Sequence, residues 1–408
     1  MADRKGHIVI LVQNLPVPMD RRVWLEANSL TNAGYKVSVI SPCPPEDDVP
    51  DKVIDGIHVY RFPMYEEKQS KLYYIQEFMY CLREVGKRVR RIWEEDPFDV
   101  IHSCNPPDTF WRIARKYKKH GVKFVFDHHD LCPELYESKF GRRDIMWRGL
   151  RWFEKKQFQT ADAVISTNES FKEIAIRRGG KRDEDVVVVR SGPKLDLFQR
   201  VDAVPELKRG RKFMGVYLGV MGSHDGIDYA LRAIRHSIDL GLKDTCFTFL
   251  GRGEALEELK QQAHDLGLMK EELVHFTGWC AGLELQQYLS SADFGIAPDP
   301  KDPLNNLCTM NKVIEYMAMG LPVVSFDLKE SRFSAGEAAT FIGDNDERAM
   351  GQAFIDLLAD PQRRARMSEI GVQRIKNGLS WDESEKVLIE FYDQLLGHSL
   401  PGDRSIAA

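Results

Sequence analysis

Short apolar runs alternate with amphipathic helical patterns along most of the chain. The first apolar run covers residues 7–12, a helical pattern follows over residues 21–34, and the next run covers residues 35–40. A continuous apolar run is typical of a strand that is buried on both faces, as in a parallel sheet. Strand, helix and strand in this order predict a βαβ unit, and the loop after its first strand lies at the ligand-binding edge of such a sheet.

The same alternation continues through the first half of the chain and restarts in the second half. Further strands are predicted at residues 55–62, 98–102, 122–126, 163–166 and 185–189, with long helices at 71–95 and 142–160. Residues 201–212 have the composition of a linker, and residues 213–218 open a second series. The pattern predicts an α/β protein with two doubly wound, Rossmann-like domains, residues 1–200 and 201–380, which face each other across a ligand-binding cleft. A last helix and a flexible tail cover residues 381–408.

Residues 305–326 carry a loop, a helix and a strand in close succession. Apolar residues spaced at i, i+3, i+4, i+7 and i+8 form one helical face; they are Met310, Val313, Ile314, Met317 and Ala318. Thr309 is predicted to cap this helix, and Gly320 to end it in the left-handed conformation. The helix N-terminus suits a phosphate group, and Glu315 can accept hydrogen bonds from ribose hydroxyls. A surface helix with an ion pair between Lys312 and Glu315 explains the pattern equally well.

Loops at the predicted strand ends supply further candidates. Gly219, Gly222 and Gly226 surround the turn after the first strand of the second half, where glycine lets a ligand approach the backbone, although a tight turn explains them as well. Arg252 lies in the next such turn, where it can hold a phosphate or can simply be solvated.

A pair of histidines follows the strand predicted at residues 122–126. His129, beside Asp130, can act as a base, as an orienting group or as a metal ligand, or it can cap backbone groups of the loop. No third ligand stands at a metal-binding spacing, so we predict no metal site. The loop is acidic, and we therefore expect it to contact sugar hydroxyls.

Composition narrows the possible functions. The 408 residues are 43% hydrophobic and 29% charged, and a net charge of −5 gives no overall support for nucleic-acid binding. The seven cysteines are scattered without a C-x-x-C motif, so we predict a reducing compartment and no structural zinc. The chain shows no signal-peptide pattern and no apolar stretch of about 18 residues, so we expect a cytoplasmic protein.

The two long helices at residues 71–95 and 142–160 are basic and contain aromatic residues. Basic amphipathic surfaces can lie on anionic lipid, so peripheral contact with the inner face of a membrane is one interpretation. A solvated charged face opposite an ordinary core face is the more common one.

Six segments together resemble the retaining, nucleotide-sugar-dependent glycosyltransferases of family four, which have the GT-B fold. They are PMDRRVWLEANSLTNAGYKVSVISP, FDHHDLCPELY, TADAVISTNES, VVVVRSGPKLDLF, SSADFGIAP and NKVIEYMAMGLPVVSF. Their order and spacing cover nearly the whole chain and are most similar to the subgroup that makes exopolysaccharide, capsule or O-antigen chains. The resemblance implies transfer of a sugar, with retention, from a nucleoside diphosphate sugar, usually a UDP-sugar, to a hydroxyl of a growing surface glycan or a lipid-linked saccharide. It also implies that no metal or other cofactor is needed and that the last helix returns to the N-terminal domain.

The resemblance assigns roles to individual residues. Of two family glutamates separated by seven residues, Glu315 matches the second, which binds the ribose, but the first falls at Leu307. The loop GVMGSHDG lacks the arginine and lysine that often hold the diphosphate, so this role moves to Lys312, and His129 matches a family histidine near the donor sugar. The other donor-binding candidates are Arg190, Gly222, Ser223, Arg252, Asn306, Thr309 and Met310, and those on the acceptor side are Asn14, Arg21 and Asp130.

Two alternatives stay open. A nucleotide-sugar epimerase of the same fold would release an isomerised donor or a free sugar without an acceptor. A non-catalytic member would serve as a scaffold in a polysaccharide-synthesis complex. Leu307 and the absence of the arginine and lysine are consistent with this alternative.

Overall fold

The computed structural model describes residues 4–43, 51–65 and 73–398. The predicted tail after residue 398 and the first two residues of the helix predicted at 71–95 lie outside this described part. The chain divides into two compact units, of which the first comprises residues 1–190 and 385–408 and the second comprises residues 191–384. The sequence prediction placed the division at residue 200.

An eight-stranded sheet forms the centre of the first unit. Its strands are β1 (His7–Leu11), β2 (Lys36–Cys43), β3 (Asp51–Ile54), β4 (Ile57–Pro63), β5 (Val100–Cys104), β6 (Lys123–His128), β7 (Ala163–Ser166) and β8 (Val186–Val188). They lie in the order β3-β4-β2-β1-β5-β6-β7-β8, and every neighbouring pair is parallel except β3 with β4. The strand order reverses between β1 and β5, which is where sheets of this kind bind ligands.

Helices connect these strands and cover the sheet. They are α1 (Arg21–Asn32), α2 (Tyr73–Glu95), α3 (Trp111–Lys118), α4 (Cys132–Phe140), α5 (Ile145–Thr160) and α6 (Glu169–Arg177). The Asp20 side chain caps α1 by accepting a hydrogen bond from the N–H of Val23 (3.1 Å). Val85 and Val89 of α2 pack in one core with strand residues such as Leu11, which explains why the strands are continuous apolar runs.

The strand predicted at residues 55–62 is confirmed as β4 from residue 57 onward, and a further strand, β3, precedes it, so that the two form a hairpin. Asp55 and Gly56 form its turn, both with positive φ (+49° and +82°), between β3 and the antiparallel β4. Asp-Gly is a pair that such two-residue turns favour. The sequence analysis missed β3 because it is a short strand at the sheet edge with only two apolar residues.

The second unit contains a six-stranded, fully parallel sheet. Its strands are β9 (Phe213–Leu218), β10 (Thr245–Leu250), β11 (Val274–Gly278), β12 (Phe294–Ala297), β13 (Val323–Phe326) and β14 (Ala339–Ile342). Their order is β11-β10-β9-β12-β13-β14, so the order reverses between β9 and β12. The α/β class and the two doubly wound, Rossmann-like sheets are therefore confirmed.

The helices of the second half begin with α7 (Ile227–Asp239), α8 (Leu256–Asp265), α9 (Gly282–Ser291) and α10 (Asn311–Ala318), and continue with α11 (Lys329–Ala335), α12 (Glu347–Ala359), α13 (Pro361–Arg374) and α14 (Trp381–Leu395). From Glu385 onward α14 belongs to the first unit, where Tyr392 is fully buried. None of the described helices is long and apolar enough to cross a membrane.

The segment predicted to be a linker, residues 201–212, packs on the second unit. The N–H groups of Val201 and Val204 donate to the hydroxyls of Ser290 and Ser291 (3.0 and 2.8 Å) at the end of α9. A short 3₁₀ helix, Pro205–Lys208, follows. The polar, proline-containing composition therefore reflects an irregular segment that packs on α9, rather than a free linker.

Candidate functional site

The N-terminus of α10 lies beside the point where the strand order of the second unit reverses. Its N-cap is Met310, in the extended conformation and without a side-chain cap bond, so the prediction that Thr309 is the cap is wrong. Gly320 ends the helix with φ +65°, as predicted. Both Lys312 and Glu315 are buried, so the alternative of a solvent-exposed surface helix is wrong as well.

The ammonium group of Lys312 pairs with Asp299 in the loop after β12. It lies 5.1 Å from the centre of the Tyr217 ring, and a Cβ added at Gly219 would lie 3.3 Å from its Cε atom. Burial alone would lower the pKa of Lys312, but the carboxylates of Asp299 and Asp225 raise it. The structure thus holds a charged ammonium at the end of β9, and this group does not pair with Glu315.

Two loops meet around this ammonium group. The N–H of Gly222 donates to Asp225 Oδ2 (2.8 Å), so this predicted donor contact is already occupied by the protein, whereas the neighbouring Ser223 is exposed. Gly226 has φ +73°, and a Cβ at this position would lie 2.0 Å from the carbonyl oxygen of Pro298. The loops after β9 and β12 therefore touch at a position where no side chain fits.

Two further donor-binding candidates of the second unit, Asn306 and Arg252, lie in the loops after β12 and β10. The side-chain oxygen of Asn306 accepts a hydrogen bond from the N–H of Lys329 (3.0 Å). Leu307 is the last residue of a short 3₁₀ helix, Asn305–Leu307. Arg252 is exposed and stacks its guanidinium over Trp279, 5.6 Å from the ring centre. Trp279 was missed in the sequence, since a single tryptophan after a strand carries no motif.

His129 is the centre of the candidate site in the first unit. Its Nδ1–H donates to Asp127 Oδ2 (2.7 Å), and its side chain remains 15% exposed. Burial alone would lower the pKa of His129, but Asp127 raises it to about 9. Burial raises the pKa of the neighbouring Asp130 to about 6. The histidine is therefore cationic at neutral pH and can donate a hydrogen bond.

Asn105, in the loop after β5, holds the histidine loop in place. Its side-chain oxygen accepts from the N–H groups of His129 and Asp130 (2.9 and 3.0 Å), and its amide donates to the carbonyl of Asp130 (2.7 Å). The loops after β5 and β6 are thereby joined at the sheet edge. This residue was missed because an Asn-Pro-Pro sequence reads as an ordinary turn.

Arg22 and Asp127 form a buried ion pair behind His129. Arg22 binds both carboxylate oxygens of Asp127 (2.9 and 2.7 Å), and its Nη2 lies 3.0 Å from Glu26 Oε1. The expectation that this acidic loop contacts sugar hydroxyls is wrong for Asp127, which is fully buried. Arg22 was missed, and Asp127 was expected to be an accessible loop residue, because burial cannot be predicted from one charged residue in a sequence.

The acceptor-side candidates Asn14 and Arg21 are exposed, in the loop after β1 and at the start of α1. Arg190 follows β8, so it belongs to the first unit, whereas the other donor-binding candidates belong to the second. Nearby, four possible metal ligands lie within 4.8 Å of one another: Glu26, His102, Cys104 and Asp127. Both carboxylates of this group, Glu26 and Asp127, pair with Arg22, so their oxygens are already engaged by a cation.

Two family models match the chain. Residues 19–192 match the model described as Glycosyl transferase 4-like domain, and residues 212–360 match the one described as Glycosyl transferases group 1. The phosphatidyl-myo-inositol mannosyltransferase of Mycolicibacterium smegmatis is 23% identical over 409 aligned positions, which cover 97% of this chain and 95% of that protein.

Solved structures with similar folds cover nearly the whole chain. Sucrose-phosphate synthase from Thermosynechococcus elongatus has a TM-score of 0.79 at 17% identity and covers 96% of this chain and 100% of its own. HepE of Anabaena, in complex with UDP-glucose, has a TM-score of 0.69 at 14% identity and covers 95% and 100%. WaaG, a glycosyltransferase involved in lipopolysaccharide biosynthesis, has a TM-score of 0.68 at 14% identity and covers 93% and 98%.

Proposed function

Since the chain belongs to the group 1 glycosyltransferases and has their GT-B fold, we propose that it transfers a sugar, with retention, from a nucleoside diphosphate sugar to an acceptor hydroxyl. We favour UDP as the nucleotide. The observation that carries the proposal is the buried, charged Lys312 in the first turn of α10, beside the loop after β9. A fixed cation and an open helix N-terminus at the edge of a parallel sheet are suited to a diphosphate.

Departure of the diphosphate places negative charge on the oxygen that bridged it to the sugar. Lys312, the first N–H groups of α10 and the exposed Ser223 are the groups that we assign to this charge, and Glu315 is assigned to the ribose. A single preorganised donor of this kind typically lowers the barrier by about 2.7–4 kcal/mol. Because these groups supply the positive charge, the proposed reaction needs no metal, and we expect it to continue in EDTA.

His129 is assigned to the sugar that is transferred. As a cation at neutral pH, it acts as a hydrogen-bond donor to sugar or phosphate oxygens and not as a general base. Asp130, Asn14 and Arg21 are assigned to the acceptor. The acceptor that we propose is a surface glycan in synthesis or a lipid-linked saccharide, which is supported by the names of the mannosyltransferase and of WaaG.

A lipid-linked acceptor requires contact with a membrane. The two basic helices, α2 and α5, differ in how much unpaired positive charge they could present to anionic lipid. Four of the five basic residues of α2 pair with carboxylates; for example, Lys87 pairs with Glu84 (2.6 Å) and Arg90 with Glu94 (2.7 Å). On α5 the residues Ile145, Arg148, Trp152 and Lys155 form one exposed stripe at helical spacing. The anionic-lipid interpretation therefore applies to α5.

The neighbouring helix α3 extends this surface. Trp152 packs edge-on against Trp111 (6.1 Å between ring centres), over which Arg112 and Arg115 lie. Within the described part of the chain, no carboxylate pairs with these two arginines or with the two basic residues of the stripe. A cationic surface with an exposed tryptophan fits the headgroups of anionic phospholipid, and we propose that it rests on the cytoplasmic face of the inner membrane.

The donor is tested by thermal unfolding with UDP, GDP, ADP, CMP and their sugars. A ligand at about 100 times its dissociation constant adds about 2.7 kcal/mol, which a melt detects. We expect a shift with one diphosphate, and its loss in Glu315→Ala. Glu254→Ala, in the turn after β10, is the control.

Other outcomes of the same experiments favour the alternatives. No shift with any nucleotide would support the non-catalytic scaffold and would overturn the proposal. Release of an isomerised donor or of free sugar at full rate without an acceptor would support the epimerase.

The membrane contact is tested by sedimentation with phosphatidylglycerol vesicles. Arg148→Glu/Lys155→Glu on α5 is compared with Lys87→Glu/Arg90→Glu on α2, which changes the net charge equally. Each basic residue near such a surface contributes about 1 kcal/mol, so we expect binding to fall at least tenfold in the α5 variant only. Equal losses in both variants would show that the contact is non-specific.

A further inference from the structure

The buried residues behind His129 form a continuous set of contacts that ends on the last helix. Arg22 and His129 both bind Asp127, and the Nε2 atom of His102 lies 3.8 Å from Asp127 Oδ2 and 3.4 Å from Glu26 Oε2. The other ring nitrogen of His102 is hydrogen-bonded to the hydroxyl of Tyr392 (2.6 Å). We call Arg22, Glu26, His102, Asp127 and Tyr392 the Asp127 cluster.

Each member of the Asp127 cluster has little freedom to move. Asp127, Glu26, His102 and Tyr392 are fully buried, and the rings of His102 and Tyr392 stack nearly parallel, at 10°. Arg22 is also fixed by a hydrogen bond from its Nη1 to the carbonyl of Val189 (3.0 Å). Since both oxygens of Asp127 are held by Arg22, the carboxylate can meet His129 in one orientation only.

This orientation decides where His129 points. Because its Nδ1 is bound to Asp127, the Nε2–H of the same ring points away from the carboxylate. The half-buried position of the ring then leaves the Nε2–H as the part of His129 that can meet a sugar or a phosphate.

We propose that Asp127, bound by Arg22 and in contact with the His102–Tyr392 pair, is the positioning residue of His129, so that the last helix completes the site of the first unit. This inference rests on the proposed function in one respect, the role of His129 in transfer. The positioning itself follows from the contacts and can be measured without an acceptor.

The test uses the full chain with ¹³C-labelled histidine and follows the imidazole of His129 by NMR as pH is raised. Its signal is identified by its absence in His129→Gln. The charged groups close enough to influence this ring are Arg22, Glu26, Asp127, His128 and Asp130. In the natural protein we expect titration near pH 9.

Three variants separate positioning from packing. Asp127→Asn keeps the shape of the side chain and removes its charge, so we expect the titration of His129 to move down by more than one pH unit. Tyr392→Phe removes only the hydroxyl that binds His102, and we expect a smaller shift in the same direction. Tyr35→Phe is the matched control. It keeps the Tyr35 ring, which packs edge-on against Tyr392 (6.1 Å between ring centres), and removes only a buried hydroxyl that donates to Asp393 of the same helix (2.6 Å), outside the Asp127 cluster.

Two results would overturn the inference. An unchanged titration in Asp127→Asn would show that this carboxylate does not position His129. A response to Tyr392→Phe no larger than that to Tyr35→Phe would show that the last helix has no part in the site. If Asp127→Asn fails to fold, the two tyrosine variants still test whether the last helix takes part in the site. The role of the Asp127 carboxylate is then tested with Asp127→Glu, which retains the charge but displaces it, and we expect His129 to titrate at a lower pH in this variant.

We also measure the release of UDP from UDP-glucose, so that a failure of the proposed function can be distinguished from a failure of this inference. Full activity in His129→Gln would refute the assigned role of His129 in transfer, whatever the titration shows. Loss of activity in His129→Gln together with an unresponsive titration would leave the proposed function standing and refute the inference about Asp127.

Discussion

At the scale of single residues, the two candidate sites depend on charges that the protein buries and balances. Lys312 is held by Asp299, and His129 is held by Asp127. The sequence indicated both cations, because each lies in a motif at a strand or helix end. It could not indicate their partners, since Asp299 and Asp127 follow apolar strands and resemble ordinary loop aspartates until the fold buries them.

Removal of Lys312 has two consequences that a double variant separates. Lys312→Met leaves Asp299 buried without a partner, and breaking a buried ion pair costs about 3–5 kcal/mol. Lys312→Met/Asp299→Asn should recover most of this stability without recovering UDP binding. Chemical denaturation and nucleotide melts measure the two effects. Recovery of UDP binding in the double variant would argue against a role for the ammonium group.

The rate of sugar transfer should fall both at high pH and at low pH. His129 must be protonated to donate, so we expect activity to fall as pH rises through about 9. Asp130 must be ionised to accept from the acceptor, so we expect activity to fall as pH drops through about 6. Asp130→Asn should lose the acidic limb. A profile that is flat between pH 5 and 10 would contradict both assignments.

The ion pair between His129 and Asp127 also makes the free energy of unfolding depend on pH. Because the pKa of His129 is raised from 6.5 to about 9 in the folded state, its contribution is complete below pH 6.5 and is lost as pH rises through about 9. We expect His129→Gln to flatten the free energy of unfolding over this interval. Denaturant titrations at several pH values measure it, and an unchanged slope would show that the imidazole is not ionised in the folded state.

At the scale of elements, strong patterns in the sequence located most strands and helices within a few residues. The helix after residue 305 and its terminal Gly320 were predicted from apolar spacing and turn chemistry alone. Tertiary structure decides the remaining cases: the edge strand β3 was missed, and the segment 201–212 packs on α9 although it was predicted to be a linker.

The contact between the loops after β9 and β12 should fail when a side chain is added. Gly226→Ala places a Cβ against Pro298 in a backbone conformation that costs about 1–2 kcal/mol for other residues. We expect UDP affinity to fall at least tenfold. Gly267→Ala is the control, because Gly267 has a similar φ (+70°) and open space around its Cβ. Calorimetric titration with UDP should show no change in affinity for this control.

At the scale of the whole molecule, each unit has its own sheet and its own candidate site. The sequence predicted both sheets, because the βα alternation restarts after residue 212. The resemblance implied that the last helix returns to the N-terminal domain, but the individual contacts of this helix could not be predicted from the sequence. They join residues that are hundreds of positions apart and that carry no shared pattern, such as His102 and Tyr392.

A chain that ends at Ser384 should lose the first unit and keep the second. The deletion removes the buried Leu388 and Tyr392 and leaves Lys5 and Tyr35 without Asp393. Large buried side chains contribute about 2–5 kcal/mol each, which is a major part of the stability of a domain. Hydrogen exchange should show protection in residues 191–384 only, with UDP binding retained. Full protection of β1 and β5 would contradict this expectation.

The division of the first unit between two stretches of chain also orders events during protein synthesis. His102 and Tyr392 are 290 positions apart. At about 5–20 residues per second, the ribosome reaches Tyr392 roughly 15–60 s after His102. All of the second unit is made in this interval, so it can fold while the first is still incomplete. The nascent chain can therefore complete the second unit, to which we assign nucleotide binding, before the histidine site. A chaperone that recognises exposed apolar surface has this interval in which to bind β1 and β5.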